Sequence, residues 1–155
     1  HRDLHSFPTR RASDLIQKTL DDLAEEFDLL GDWEERYRYV IELGGDLAPL
    51  SDAERSEANK VRGCASQVWL VTEPQGDGTV RFRGDSDAHI VRGLIAILLR
   101  LFSDRRPAEI ISFDIKAAFQ RLGLAGALST QRSNGLAAMA QRIGRDAEAL
   151  NAANS

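Results

Sequence analysis

The N-terminal part of the chain alternates apolar and polar positions with the period of an α-helix. Leu20, Leu23 and Phe27 recur at helical spacing and define one apolar face of a helix that begins near residue 13. A second helix is predicted after Asp32, because Glu35 follows three residues later in the pattern of a capping box. Two amphipathic helices are therefore expected before residue 45.

The middle of the chain favours β-structure. Residues 66–73 are predicted to form one strand, because their centre, Val-Trp-Leu-Val-Thr at 68–72, is rich in apolar and β-branched residues. Residues 79–83 alternate apolar Val80 and Phe82 with arginines, as in a half-buried strand. The Gly-Asp-Gly sequence between the two segments is typical of a hairpin turn. A third strand around Val61 would complete a small antiparallel sheet.

Helices are predicted on both sides of this hairpin. Ser51 and Glu54 repeat the capping-box spacing, which predicts a short polar helix as far as Asn59. Asp85 and Asp87 offer a cap and negative charge at the start of a long apolar helix. The later helices are expected at 87–102, from 107, at 113–122 and at 134–150. These elements predict an α+β fold in which a small antiparallel sheet of about three strands packs against several helices.

Composition narrows the class of protein. With 155 residues, 43% of them apolar, the chain is long enough to bury the core of one domain, and its net charge of −4 argues against nucleic acid as the main partner. No apolar run reaches the 18 residues of a membrane span. One cysteine and no recognisable signal peptide favour a reducing compartment, most simply the cytoplasm. Residues 1–12 lack periodicity and are interpreted as a non-native or disordered leader, and 13–155 as a single domain.

Cys64 is the first candidate for chemistry, because it is the chain's one thiol. A lone thiol closes no intramolecular disulfide and completes no multi-thiol metal site, so its options are structural burial or single-thiol chemistry. Gly63 permits a tight turn before it, and Arg62 is expected to lower the pKa of the thiol. From the residues alone, burial as a small hydrophobe and display as a nucleophile remain open.

His89 offers a competing hypothesis. A Cys64–His89 dyad would be the minimum for a thiol hydrolase. The position of His89 beside Asp85 and Asp87, at the start of a predicted helix, favours instead a solvated polar residue. No Cys/His spacing indicates a zinc site.

Four ordered blocks of sequence lie around Cys64. The blocks are Trp-Glu-Glu-Arg-Tyr-Arg-Tyr at 33–39, Val-Arg-Gly-Cys-Ala-Ser-Gln-Val-Trp at 61–69, Gly-Asp-Ser-Asp-Ala at 84–88 and Arg-Ser-Asn-Gly-Leu at 132–136. Together they resemble the SufE family, the sulfur-acceptor partners of cysteine desulfurases in iron–sulfur cluster assembly. The resemblance extends from about Leu20 into the C-terminal helix. Ala65 stands where many relatives carry another residue, and Arg62 where some do, and neither departure touches the thiol.

The resemblance implies a function and a set of site residues. Cys64 would accept persulfide sulfur from a cysteine desulfurase and pass it to a cluster scaffold. The protein would thus be an accessory that stimulates the desulfurase rather than an enzyme in its own right. It would need no cofactor, since pyridoxal phosphate belongs to the desulfurase. Arg62, Ser66, Asp85 and Arg132 are the expected partner-binding residues at the edge of the docking face.

Two alternatives remain beside this interpretation. The chain would be a non-catalytic docking adaptor with a structural Cys64, or a paralogous desulfurase partner that feeds another pathway. The sulfur-acceptor hypothesis also predicts where the thiol lies. Cys64 is expected on a loop before the first long strand, with its sulfur turned towards apolar neighbours, since an exposed persulfide or thiolate is easily oxidised.

Overall fold

The computed structural model describes residues 12–153, apart from the side chains of residues 12–14, 125 and 126. The predicted leader lies outside the described residues except for Ala12, which begins the first helix. The described elements, in chain order, are α1 Ala12–Asp28, α2 Trp33–Gly44, β1 Val68–Pro74, β2 Val80–Ser86, α3 His89–Phe102, α4 Pro107–Ser112, α5 Ile115–Arg121, α6 Leu124–Ala127 and α7 Thr130–Ala153.

The predicted α+β fold is confirmed, with a smaller sheet than expected. Strands β1 and β2 pair antiparallel from Val68 opposite Ser86 to Pro74 opposite Val80, and the predicted Gly-Asp-Gly turn joins them. The third strand is reduced to one bridge between Lys60 and Trp69. There the chain passes β1 only briefly before it turns into the loop that carries Cys64.

Helix α3 forms the centre of the core. Nine of its 14 residues are buried, so it packs against elements on several sides, chiefly α2 and β2. Its crossing with α2 is close because Gly44 and Gly93 face each other there. A Cβ atom added to Gly93 would lie 2.0 Å from the Val40 carbonyl oxygen, so no larger residue fits at this crossing.

Helix α7, with 24 residues, is the longest helix within residues 12–153. Leu136, Met139 and Ile143 form its buried face, and polar residues occupy the other side. Arg142 extends from α7 to the carbonyl oxygens of Ala58 and Lys60, at 3.2 and 3.4 Å. Helix α7 is therefore fixed to the segment that leads into the Cys64 loop. Within residues 12–153, no helix combines the length and apolar character needed to cross a membrane.

The prediction of a short polar helix at residues 51–59 is wrong. The capping-box contacts do form, since the Glu54 amide donates to Ser51 Oγ at 3.2 Å and the Ser51 amide donates to Glu54 Oε1 at 3.0 Å. The segment nevertheless consists of turns. The Asn59 carbonyl accepts from the Leu70 amide at 2.8 Å, so the chain must be extended by residue 59 to meet β1. The Glu54 carboxylate also binds the Arg83 guanidinium, which lowers the pKa of Glu54 to about 2.

Candidate functional site

Cys64 lies on a loop, as the sequence predicted. The loop begins after Val61 and ends before β1, and the Val61 amide donates to the Val68 carbonyl at 2.8 Å to close its base. Gly63 has a φ of 90°, a left-handed backbone conformation that residues other than glycine rarely adopt. The turn at Gly63 directs the next residue towards α7.

The Cys64 thiol is turned inward and half-buried, which confirms the predicted resting position. Its sulfur donates to the Gly135 carbonyl oxygen of α7 at 3.6 Å. Burial raises the pKa of the Cys64 thiol. The prediction that Arg62 lowers the pKa of the thiol is wrong. The Arg62 side chain is exposed and pairs with Glu57, with Arg62 Nη2 3.0 Å from Glu57 Oε2. The resting thiol is therefore protonated at neutral pH.

A cavity of about 300 Å³ adjoins the thiol. Apolar side chains of α3 and α7 form its inner wall, and polar residues at the start of α7 form its outer part. Arg132 is the one charged residue among those that line it. The lining residues are Cys64, Ala65, Ser66, Val91, Leu94, Ser129, Gln131, Arg132, Gly135 and Met139.

Arg132 and Ser66 both reach this cavity, so the structure brings two of the predicted partner-binding residues beside Cys64. Arg132 lies in the first turn of α7, and its guanidinium carbon lies 5.6 Å from the centroid of the Tyr37 ring. Among the described residues, no carboxylate pairs with this guanidinium. Arg132 is thus a half-buried cation without a counter-charge at the edge of the cavity.

Asp85 does not offer the exposed rim charge that we expected. Its side chain is 7% exposed, and Arg55 Nη2 lies 2.8 Å from Oδ2. On the other side of the carboxylate, Arg92 Nε lies 3.2 Å from Oδ1. This contact is an ion pair, but its geometry is not that of a hydrogen bond. Arg55 in turn packs over Trp69, 5.8 Å from its ring centroid. The carboxylate joins β2 to the 51–59 segment and to α3. This burial argues against a place for Asp85 at the edge of the docking face, which stays an untested prediction.

Asp87 also differs from expectation. The residue before α3 is Ala88, which makes no side-chain cap, so the predicted aspartate cap is absent from this helix start. Asp87 Oδ1 instead accepts from the Gln67 amide at 3.0 Å, at the C-terminal end of the Cys64 loop. The place of Asp87 in the Gly-Asp-Ser-Asp block marked it as a candidate residue. Nothing in the sequence indicated that it would bind the Gln67 amide.

The structure adds residues to the site that the sequence did not single out. The Gly135 carbonyl accepts from the thiol, Met139 lines the cavity, and the Tyr37 ring packs against the Arg132 guanidinium. Gly135 was within reach of sequence analysis, as a glycine inside a predicted helix and inside a family block. Met139 looked like any other residue of the apolar face.

The hydrolase hypothesis finds no support in this geometry. His89 is exposed and does not line the cavity of Cys64, so the described part of the chain forms no Cys–His dyad there. Nor do residues 12–153 bring together three or more histidine, cysteine or acidic side chains that could hold a metal ion.

Comparisons with known proteins agree on one family. The sequence profile of the SufE family, described as an Fe-S metabolism associated domain, matches residues 21–147. An uncharacterized SufE-like protein of Rhizobium etli is 50% identical over 142 residues, which cover 90% of this chain and 96% of that protein. A second, from Rhizobium meliloti, is 50% identical over 133 residues, 84% of this chain and 95% of the relative.

A solved structure supports the fold. The solution structure of a hypothetical protein from Thermus thermophilus superimposes with a TM-score of 0.71 at 19% identity, over 86% of this chain and 96% of that one. Since the profile covers most of the chain and the relatives align over nearly their whole length, this protein belongs to the SufE family, whose domain is associated with iron–sulfur metabolism.

Proposed function

We propose that this protein is a sulfur acceptor, which takes persulfide sulfur from a cysteine desulfurase onto Cys64 and passes it on for iron–sulfur cluster assembly. The observation that carries the proposal is the position of the chain's one thiol: on a short loop, half-buried, beside a cavity. A structural cysteine needs no loop and no adjacent cavity. The pyridoxal phosphate of such a system belongs to the desulfurase.

The proposed step is an analogue of thiol–disulfide exchange. The Cys64 thiolate attacks the outer sulfur of the desulfurase persulfide, a new S–S bond forms at Cys64, and the desulfurase cysteine leaves as a thiolate. The transferred sulfur keeps its oxidation state, and no electron donor is needed. A nearby second thiol would release the sulfur as sulfide, so a single cysteine suits a carrier.

We propose that docking activates the thiol, which reacts only slowly in its resting position. Burial raises the pKa of Cys64, and its proton is held by the Gly135 carbonyl, so the free protein presents a poor nucleophile. Docking of the desulfurase would draw the loop outward, away from α7, and the thiol would ionise more readily in that state. The same device protects the unloaded protein from oxidation.

The test of this function is transfer to residue 64. The protein is mixed with a cysteine desulfurase and free cysteine, and the mass of the peptide that contains Cys64 is measured. We expect the wild-type peptide to gain the mass of one sulfur atom, which a reducing thiol removes. Cys64→Ser should gain none and should no longer stimulate cysteine turnover, while its circular dichroism and melting curve stay close to those of the wild type.

The same assay separates the adaptor alternative. A docking adaptor with a structural cysteine would still stimulate the desulfurase after Cys64→Ser, and the wild-type peptide would gain no sulfur. That pair of results would contradict the sulfur-acceptor proposal.

The docking face must surround Cys64, because sulfur passes directly between two cysteines. Arg62, Ser66 and Arg132 remain as candidates at its edge, since all three lie beside the loop or the cavity. Rim charges mainly tune the association rate and the register of a complex. We therefore propose that Arg132 also contributes to recognition of the desulfurase.

Arg132→Glu should lower desulfurase stimulation several-fold at low salt, and the difference from wild type should shrink as salt screens the interaction. The measurement is the initial rate of cysteine turnover as a function of acceptor concentration at several salt concentrations. Arg145→Glu, an exposed arginine further along α7, is the matched control and should behave as wild type. Equal salt profiles for the Arg132 variant and the wild type would exclude Arg132 from the docking face.

A further inference from the structure

We propose that the cavity beside Cys64 receives the outer sulfur of the loaded cysteine as a persulfide anion, and that Arg132 is the positioning residue that stabilises this anion in the free protein. The inference deepens the proposed function, since it concerns the loaded state of the same thiol. It assigns Arg132 a part in carrying the sulfur that is separate from any part in docking.

The geometry favours one direction for the outer sulfur. An S–S bond is about 2.05 Å long, so the added atom lies within the volume next to Cys64 Sγ. In the unloaded protein the thiol donates a hydrogen bond to the Gly135 carbonyl oxygen. An anionic sulfur has no proton with which to make this hydrogen bond. Repulsion from this oxygen turns the outer sulfur towards the remaining polar part of the cavity. That part is formed by Ser66, Ser129, Gln131 and Arg132, of which Arg132 is the one cation.

The start of α7 supplies positive potential at that place. The N-terminal end of a long helix carries partial positive charge from its unpaired amides, and Arg132 lies in this first turn. Its guanidinium is held by the Tyr37 ring and has no carboxylate partner among the described residues. A persulfide is more acidic than the parent thiol, because the charge sits on a polarizable sulfur bonded to another sulfur. It therefore supplies the counter-charge that the cavity lacks.

The other charged groups around the loop already have partners. On the loop itself, Arg62 is paired with Glu57. Asp87 accepts from the Gln67 amide and is not among the residues that line the cavity.

The charges on the neighbouring elements are also matched. Asp85 of β2 lies between Arg55 and Arg92, the latter from α3. From α7, Arg142 binds Asp146 and the backbone before the loop. Of the described residues that line the cavity, Arg132 is the one cation left to respond to a new negative charge there.

The unloaded thiol provides the contrast. Burial raises its pKa, and no cation lowers it, so the thiol stays neutral beside Arg132 and offers this cation no counter-charge. Loading therefore changes which contact holds the loop: the S–H to carbonyl contact is replaced by a charge-assisted contact with Arg132. The loaded loop should stay closed more firmly than the unloaded one.

The test uses chemical loading, so that it does not depend on any desulfurase. Sodium tetrasulfide reacts with the Cys64 thiolate: a terminal sulfur is transferred, an S–S bond forms at Cys64, another breaks in the reagent, and trisulfide leaves. Mass spectrometry selects conditions that give one added sulfur. The alkylation rate of the loaded group by iodoacetamide, measured against pH, then gives its apparent pKa. The unloaded thiol is titrated in the same way.

We expect Arg132→Gln to raise the apparent pKa of the loaded group by about one unit, the effect of losing a nearby opposite charge. The pKa of the unloaded thiol should stay unchanged within error. Arg132→Lys keeps the charge and should restore most of the wild-type value, and Arg145→Gln on the same helix should match the wild type.

Two results would overturn the inference. The loaded pKa is the same in Arg132→Gln and wild type, or loaded and unloaded groups shift equally. Neither of these results bears on sulfur transfer from a desulfurase. Conversely, a failed desulfurase assay leaves the titration unaffected, so the two proposals fail separately.

Discussion

Asp85→Lys is expected to cost about 3–5 kcal/mol of the free energy of unfolding, the range for breaking a buried ion pair. The carboxylate is 7% exposed between Arg55 and Arg92, so a lysine there would place three cations together with little water to solvate them. A domain has only about 5–15 kcal/mol of stability, so much of the variant population should be unfolded in mild denaturant. Urea unfolding followed by circular dichroism measures the loss.

Asp52→Lys is the matched control, because it makes the same charge reversal near the same arginine. Asp52 is fully exposed, and its Oδ1 lies 3.9 Å from Arg55 Nη1. It should change the free energy of unfolding by less than about 0.5 kcal/mol. If Asp85→Lys unfolds at the same urea concentration as the wild type, the carboxylate is not the structural anchor that we describe, and a role for Asp85 at the docking face regains its basis.

Gly93→Ala should also be strongly destabilising, although alanine normally favours a helix. The added methyl would lie 2.0 Å from the Val40 carbonyl oxygen, and backbone cannot move aside as a side chain can. Helices α2 and α3 would have to separate, at an overpacking cost of about 2–3 kcal/mol. For a protein of this size that loss lowers the melting temperature by about 5–10 °C.

Gly144→Ala tests whether crowding is the cause. This glycine lies within α7, and a Cβ added there meets no atom within 4 Å. The same substitution should therefore raise stability by about 0.5–1 kcal/mol, the ordinary helix preference of alanine over glycine. If both variants melted at or above the wild-type temperature, the close crossing would not constrain residue 93.

Local patterns in the sequence predicted most of the elements, because the residues that decide them are neighbours. The Asp32 and Glu35 pattern is an example: the Glu35 amide donates to Asp32 Oδ1 at 2.9 Å, and α2 begins as expected. The loop position of Cys64 likewise followed from Gly63 and from the strand pattern after it. The same pattern at Ser51 and Glu54 forms its local contacts but no helix. Here the hydrogen bond between Asn59 and β1 fixes the backbone in another conformation.

The candidate site depended on contacts that no local pattern records. The sulfur of Cys64 rests against a carbonyl 71 residues away, and Asp85 binds an arginine 30 residues before it. Sequence proximity suggested instead that Arg62 would act on the thiol and that Asp85 would face solvent. Arg62 pairs with a nearer carboxylate, and Asp85 is buried by two arginines. Which of several charges meet is decided by packing, so the sequence named candidates and the structure selected among them.

The closed base of the Cys64 loop limits how far the thiol can travel. The loop is fastened where the Val61 amide meets the Val68 carbonyl, and Cys64 is only three residues beyond Val61. A fully extended chain spans about 3.5 Å per residue, so the Cα atom of Cys64 stays within about 11 Å of that point. So short a loop cannot carry the thiol between two widely separated binding surfaces. We expect any sulfur donor and any sulfur receiver to approach the same side of the protein, and therefore to bind it in turn rather than together.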